Sequence, residues 1–171
     1  MAKNIILIGL MGCGKTTIGR LIAEKLNKKF VDTDELIEKE MQKNINEIFK
    51  LYGENFFREL ESKIIKKITL EINQVISTGG GIVEIPENIE CLKQNSMIFY
   101  LYAPVEELFR RIKNENNRPL LKNDNPLETL EKLLNKRERF YNRANIKINT
   151  VNKEFDKIIS EIIREYENNE Q

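Results

Sequence analysis

The chain carries near its start the run Gly9-Leu10-Met11-Gly12-Cys13-Gly14-Lys15-Thr16, followed by Thr17. A glycine, four residues and then Gly-Lys-Thr is the spacing of a phosphate cradle. Its glycines let backbone N–H groups turn inward around an anion, and the helix that follows presents its positive dipole end there. Gly12, Cys13, Gly14, Lys15, Thr16 and Thr17 are therefore candidate contacts of a nucleoside triphosphate. Lys15 would reach the β/γ-phosphates, and the Thr16 hydroxyl is the expected Mg²⁺ ligand. The competing reading is a glycine-rich turn with a solvated lysine. The flanks oppose it, because Ile5 to Ile8 form an apolar run before the loop, and Ile18, Leu21, Ile22 and Leu26 recur at helical spacing after it.

A phosphate loop usually pairs its hydroxyl with an aspartate at the end of another strand. Here the apolar run Val75-Ile76-Ser77-Thr78 continues into Gly79, and the carboxylates follow an earlier run, as Val31-Asp32-Thr33-Asp34. Residues two apart at a strand end point the same way, so both aspartates are expected to face the γ-phosphate. Asp32 would help to hold hydrated Mg²⁺, and Asp34 would contact a nucleophilic hydroxyl and accept its proton. Asp34 equally suits the cap of a helix beginning at Glu35, and both readings stand.

Three further features have chemical potential. Gly79-Gly80-Gly81 leaves backbone bare of side chains at the carboxyl edge of a sheet, either offering N–H donors to a ligand or forming a flexible turn. Arg58 and Glu61 lie three apart on a helix, on a face other than the apolar stripe Phe56, Leu60, Ile64, Ile68 and Ile72, where Arg58 can equally be a plain surface charge. Arg137 falls within the stripe of Leu130, Leu134 and Tyr141. It either snorkels and complements the negative end of its helix, or uses its planar fork to hold a carboxylate bidentately.

The elements that must position these residues follow from periodicity. Short apolar runs alternate with amphipathic ones, as in βαβ units and a mostly parallel sheet. Strands are expected at 4–10, 29–31, 74–77, 96–102 and 147–149, and helices at 16–27, 34–41, 45–51, 55–72, 87–93, 105–113, 126–141 and 154–166. Asn44 and Glu47 have capping-box spacing, and Gly53 is placed to end a short helix. The final helix carries one stripe, Phe155, Ile158, Ile159, Ile162, Ile163 and Tyr166, read as core. Residues 32–62 read as helices inserted between the second and third strands, where a substrate could be held. The polar tract 113–117 before Arg118-Pro119 reads as a mobile loop.

At 171 residues the chain suits one α/β domain that buries roughly 70% of its unfolded surface. Its 28 Lys and Arg against 27 Asp and Glu leave a net charge of +1, so nothing in the balance points to nucleic acid or membrane. The absence of histidine excludes Ser-His-Asp triads and imidazole metal ligands. Cys13 and Cys91 have no framework spacing, which suits a reducing compartment. Ala2 and Lys3 lead straight into a strand far too short to span a bilayer, so a cytoplasmic protein is expected.

Taken together, these motifs resemble the shikimate kinase family of P-loop small-molecule kinases, over nearly the whole chain. The residues that carry the resemblance are Gly9 to Thr17, Phe30-Val31-Asp32-Thr33-Asp34, Phe57-Arg58-Glu59-Leu60-Glu61, Ser77-Thr78-Gly79-Gly80-Gly81, Arg118-Pro119-Leu120-Leu121, and Arg137 with Tyr141. The resemblance implies a three-layer αβα fold with a five-stranded parallel sheet, and Mg²⁺-dependent transfer of the γ-phosphoryl group of ATP to the 3-hydroxyl of shikimate. It implies Asp34 on the reacting hydroxyl, Arg58, Arg137 and Gly79 to Gly81 around the acceptor's carboxylate, and Arg118 on a lid spanning about 112–124. It also implies that Arg111 and the loop after Asn149 lie near the adenine. Cys13, Thr16, Asn44 and Arg139-Phe140 depart from the commonest form without removing a required group. A monomer is expected. The alternatives are a related kinase for gluconate or a nucleoside monophosphate, and a non-catalytic ATP-binding module.

Overall fold

The computed structural model describes residues 3–113 and 125–169. Five strands form one parallel sheet: β1 (Asn4–Ile8), β2 (Lys29–Asp32), β3 (Gln74–Ser77), β4 (Ser96–Tyr102) and β5 (Ile146–Asn149), in the spatial order β2-β3-β1-β4-β5. Flanking helices are α1 (Lys15–Lys25), α2 (Thr33–Met41), α3 (Ile45–Ile68), α4 (Pro86–Lys93), α5 (Val105–Ile112), α6 (Pro126–Tyr141) and α7 (Phe155–Asn168). The central strand β1 is buried throughout, which is why it reads as an unbroken apolar run rather than an alternating one. No described helix is long and apolar enough to cross a membrane.

Register brings the candidate residues together. Asp32, the last residue of β2, pairs with Ser77 of β3, which in turn pairs with Leu7 of β1. The carboxyl ends of the three strands are therefore flush, and the loops that leave them share one edge of the sheet. β1 ends at Ile8, two residues earlier than its apolar run predicts, because Gly9 takes a φ of 146° and turns the chain into the loop.

The helix boundaries show which local signals hold. Asn44 and Glu47 form the expected capping box, each side chain accepting from the other's backbone N–H at 2.9 and 3.0 Å. Gly53 breaks the helical path at φ 81° and ψ 173°, but the chain resumes the helix at once, so the two predicted helices are the arms of α3. Its second arm stops at Ile68, short of the expected Ile72. Gln74 Nε2 donates to the carbonyls of Ile68 and Glu71, and Asn4 Nδ2 also donates to Glu71 O, fixing a turn that leaves Leu70 and Ile72 exposed.

Two expected stripes are also corrected. In the second arm of α3 the buried residues are Phe57, Glu61, Ile64, Ile65 and Ile68, so Glu61 lies on the core face and not apart from it. In α7, Phe155 is half exposed, while Ile158, Ile159, Ile162 and Tyr166 are buried. Arg118, the tract 114–117 and the body of the expected lid lie outside the described residues.

Candidate active site

The loop after β1 closes on itself through glycines in the left-handed region. Gly12 and Gly14 take φ of 83° and 93°, values that L side chains rarely adopt, and Gly14 caps α1 without any side-chain hydrogen bond. The N–H groups of the first turn of α1 are thus free of a side-chain cap, and that turn contains no acidic residue. Lys15 Nζ folds back onto the loop, donating to Gly9 O at 2.8 Å and Leu10 O at 3.2 Å.

Thr16 opens towards the second strand. Its hydroxyl donates to Asp32 Oδ2 at 2.8 Å and lies 3.5 Å from Ser77 Oγ. The other Asp32 oxygen accepts from the backbone N–H groups of Asp34 and Glu35 at 3.0 and 3.3 Å. Asp32 therefore caps α2, and Asp34 sits inside its first turn. The capping reading of Asp34 is overturned, and so is the strand-alternation argument for its direction, since α2 begins at Thr33. Both aspartates nevertheless reach the same space, because an extended cap residue and the first helical turn bend around one point.

Two clefts meet at that point. One, of about 670 Å³, runs from Gly12, Lys15 and Thr17 to Arg111 and Phe155. The second, of about 700 Å³, is lined by Arg58, Glu61, Arg137, the aromatic rings of Phe49 and Phe57, and the three glycines. Met11, Thr16, Asp32, Asp34 and Gly80 border both.

Two of the three glycines, Gly79 and Gly81, are closely crowded by neighbouring side chains, whereas Gly80 has ordinary room. A Cβ on Gly79 would come within 2.6 Å of Asp34 Oδ1 and 2.7 Å of Glu61 Oε1, and one on Gly81 would strike the Arg58 guanidinium. The turn is anchored by Gly79 N–H donating to Thr33 Oγ1 at 2.9 Å and by the Tyr141 hydroxyl donating to Gly80 O. It is a built wall, not a loose connection.

Arg58 donates to Glu61 at 2.6 Å and to Glu54 at 2.9 Å, and only 13% of its side chain is exposed, so it is not a plain surface charge. Glu61 is fully buried, and burial pushes its carboxyl up to about 7. The Arg58 guanidinium opposes that shift, while the nearby Asp34 charge adds to it. Arg137 is 2% exposed, so it does not snorkel, and it pairs with Glu84 at 2.7 Å. Arg111 lines the first cleft, but its donors are committed to Glu107, Thr150 and, at 3.4 Å, Gly12 O, which makes it a brace for the loop. Among the described residues no group of three or more His, Cys, Asp or Glu is arranged to hold a metal.

A family model described as shikimate kinase matches residues 11–167. The chain belongs to the shikimate kinase family. A shikimate kinase of Caldicellulosiruptor bescii is 49% identical over 148 residues, 86% of each chain. One from Thermodesulfovibrio yellowstonii is 47% identical and covers 96% of this chain and 95% of its own. Among solved structures, the shikimate kinase of Acinetobacter baumannii in complex with shikimate superposes with a TM-score of 0.95 at 37% identity, over 99% of this chain and 95% of that one. A gluconokinase from Sinorhizobium meliloti, at 15% identity and a TM-score of 0.62 over 97% of this chain and 94% of its own, shares the fold alone.

Within this member of the shikimate kinase family, the sequence motifs Gly12 to Thr17, Asp32, Asp34, Arg58, Gly79 to Gly81, Arg111 and Arg137 all converge on the two joined clefts. Sequence reasoning gave no site role to Phe49, Phe57, Glu84 or Phe155, and placed Glu61 only three residues from Arg58 on a face outside the apolar stripe. The signal for Glu61 was present: Phe57, Glu61, Ile64 and Ile68 lie at helical spacing on one face. Glu84 had no such signal, because its nearest partners, Lys136 and Arg137, are some fifty residues away.

Proposed function

We propose that this chain transfers the γ-phosphoryl group of ATP to the 3-hydroxyl of shikimate, giving shikimate 3-phosphate and ADP. The observation that carries this reading is the junction of the two clefts, with a phosphate loop on one side, two arginines on the other and Asp34 between them. A donor phosphate and a carboxylate-bearing acceptor entering from opposite sides would meet at Asp34.

In this mechanism the acceptor's oxygen bonds to the γ-phosphorus while the bond from that phosphorus to the β–γ bridging oxygen breaks. ADP leaves with the bridging oxygen, and the hydroxyl proton passes to Asp34. The transition state is loose, so catalysis is mainly alignment and charge neutralisation, supplied here by Lys15 and by Arg118. Arg58, Arg137 and the N–H groups of the glycine turn hold the acceptor's carboxylate, and the Phe49 and Phe57 rings, with centroids 4.7 Å apart, give its carbon ring an apolar wall. Thr16 and Asp32 would hold Mg²⁺. Their oxygens meet at the mouth of the loop, and an all-oxygen donor set suits a hard cation. A cation held there would supply positive charge against the phosphates of the donor.

Phe155 has a place in the donor cleft. An aromatic ring that remains half exposed beside a phosphate loop offers a face on which a purine can stack. Phe155→Ala is expected to raise the KM for ATP by about 5- to 150-fold, the range for loss of one base–aromatic stack, and to leave the KM for shikimate unchanged. Equal ATP affinity in variant and parent would remove Phe155 from the site.

We read residues 1–171 as one kinase domain, with 32–62 as the acceptor-binding insertion and about 112–124 as a lid. We further read it as a cytoplasmic monomer with no nucleic-acid or membrane partner. A coupled assay of ADP release tests the function. Shikimate should stimulate turnover, and gluconate, AMP and CMP should not. Absence of acceptor-stimulated turnover would overturn the reading. Arg137→Ala should weaken shikimate binding by about 30-fold or more, as truncation of a buried charge partner does, with ATP binding retained. Unchanged shikimate affinity would reject its assignment.

A further inference from the structure

Arg137 reaches the acceptor cleft from a helix face that is otherwise core, between Leu134 and Tyr141. A guanidinium buried this deeply carries a heavy desolvation cost unless a counter-charge meets it with good geometry. Glu84 meets it, at the end of the short 3₁₀ turn (Ile82–Glu84) that follows the triple glycine. Arg137 Nε and Nη2 both approach Glu84 Oε1, each at 2.7 Å. One edge of the fork is thereby occupied. The remaining nitrogen, Nη1, lies on the Gly80 side, 3.7 Å from the position a Cβ would take on that glycine.

Glu84 itself is not among the residues lining the acceptor cleft, whereas Arg137 and Gly80 are. It stands behind the arginine. Its second oxygen takes Lys136 Nζ, and Arg58 Nη2 lies 3.8 Å from Oε1. Three cations therefore surround one carboxylate, and Glu84 can orient Arg137 without reversing the positive field that an anionic acceptor meets. Burial raises the Glu84 carboxyl, but the hydrogen bonds and charges of Lys136 and Arg137 outweigh it and hold the group below its usual range.

We propose that Glu84 is a positioning residue for acceptor recognition: it fixes the Nε/Nη2 edge of Arg137 so that Nη1 faces the acceptor's carboxylate. The proposal rests on the reading of Arg137 as part of the carboxylate grip. A free arginine samples many rotamers, and ordering it at the moment of binding weakens affinity; Glu84 has already ordered it. Glu84 also ties α6 to the glycine turn, so the N–H donors and the guanidinium that share one ligand are held in one frame. A carboxylate that instead competed with the acceptor would line the cleft, and Glu84 is not among the residues that line it.

The test compares Glu84→Ala, Glu84→Gln and Glu84→Asp, alone and with Arg137→Ala, in the full chain. The readouts are calorimetric affinity for shikimate and for its methyl ester, and the KM values for shikimate and ATP. Glu84→Ala should raise the shikimate Kd about tenfold, within the range for directly coupled neighbours, and leave the KM for ATP within about twofold. Glu84→Asp should recover part of the loss, and Glu84→Gln, which keeps the shape and one acceptor oxygen, should lose less than alanine. In the Arg137→Ala background, and with the uncharged ester, the effect of Glu84→Ala should vanish. Shikimate affinity that is unchanged or tighter in both Glu84→Ala and Glu84→Gln would overturn the proposal, as would an equal loss of ATP affinity or an undiminished effect without Arg137. If Arg137→Ala alone leaves shikimate affinity intact, the reading of Arg137 fails first. If Arg137→Ala weakens binding and the Glu84 variants do not, only the role of Glu84 is lost.

Discussion

Asp34→Asn is expected to lower kcat by about 10² to 10⁴, the range for loss of a positioned general base, while the protein remains folded. The structure makes this variant a clean probe, because α2 is capped by Asp32 through the N–H groups of Asp34 and Glu35. Asparagine at position 34 keeps the side-chain shape and removes the charge, and the interaction of an acidic group with the first turn of its helix is worth about 0.3–1 kcal/mol. That corresponds to a shift in the thermal midpoint of at most about 4 °C for a chain of this size. The KM for ATP should change less than kcat, since Asp34 borders both clefts at their junction while Gly12, Gly14 and Lys15 line the donor cleft alone. A second readout separates charge from shape. Asp34 is one of the charges that hold the Glu61 carboxyl up, so the Glu61 titration should move to lower pH in the variant. Turnover within tenfold of the parent would leave Asp34 no role in accepting the proton.

Lys15→Met is expected to lower kcat/KM for ATP by about 10² to 10³, comparable with loss of one preorganised transition-state donor. Methionine keeps most of the apolar stem and removes the ammonium group and its charge. In the structure Nζ rests on the carbonyls of Gly9 and Leu10, with Cys13 Sγ at 3.5 Å. Those are weak acceptors for a full charge, and a bound phosphate would replace them with a stronger, charge-assisted partner. Shikimate affinity measured without nucleotide should be unaltered, because Lys15 lines the donor cleft and not the acceptor cleft. Turnover that survives the substitution would place the neutralising charge elsewhere.

How much of this was legible in the chain depends on the range of the forces involved. The strands Gln74–Ser77 and Ser96–Tyr102 and the helix Pro126–Tyr141 appear with their predicted limits, since apolar periodicity and the Pro126 start are local signals. The capping box at Asn44 is equally local. The second arm of α3 is the counterexample. Its true end at Ile68 is set by the side chains of Asn4 and Gln74, which arrive from the sheet. Glu61 and Phe155 went wrong in opposite directions for one reason: periodicity says which residues share a face, and the partner elements decide what that face meets.

The phosphate loop, the alternation that makes a parallel sheet and the candidate residue types of the site were all readable from the chain, because each is written in short-range spacing and backbone preference. Folding was needed to show that Asp32 caps α2 while accepting from Thr16, that Glu61 is buried beside Arg58, and that Glu84 pairs with Arg137. Those are encounters between charges far apart along the chain, and their outcome depends on distance, burial and the counter-charges that folding brings within reach.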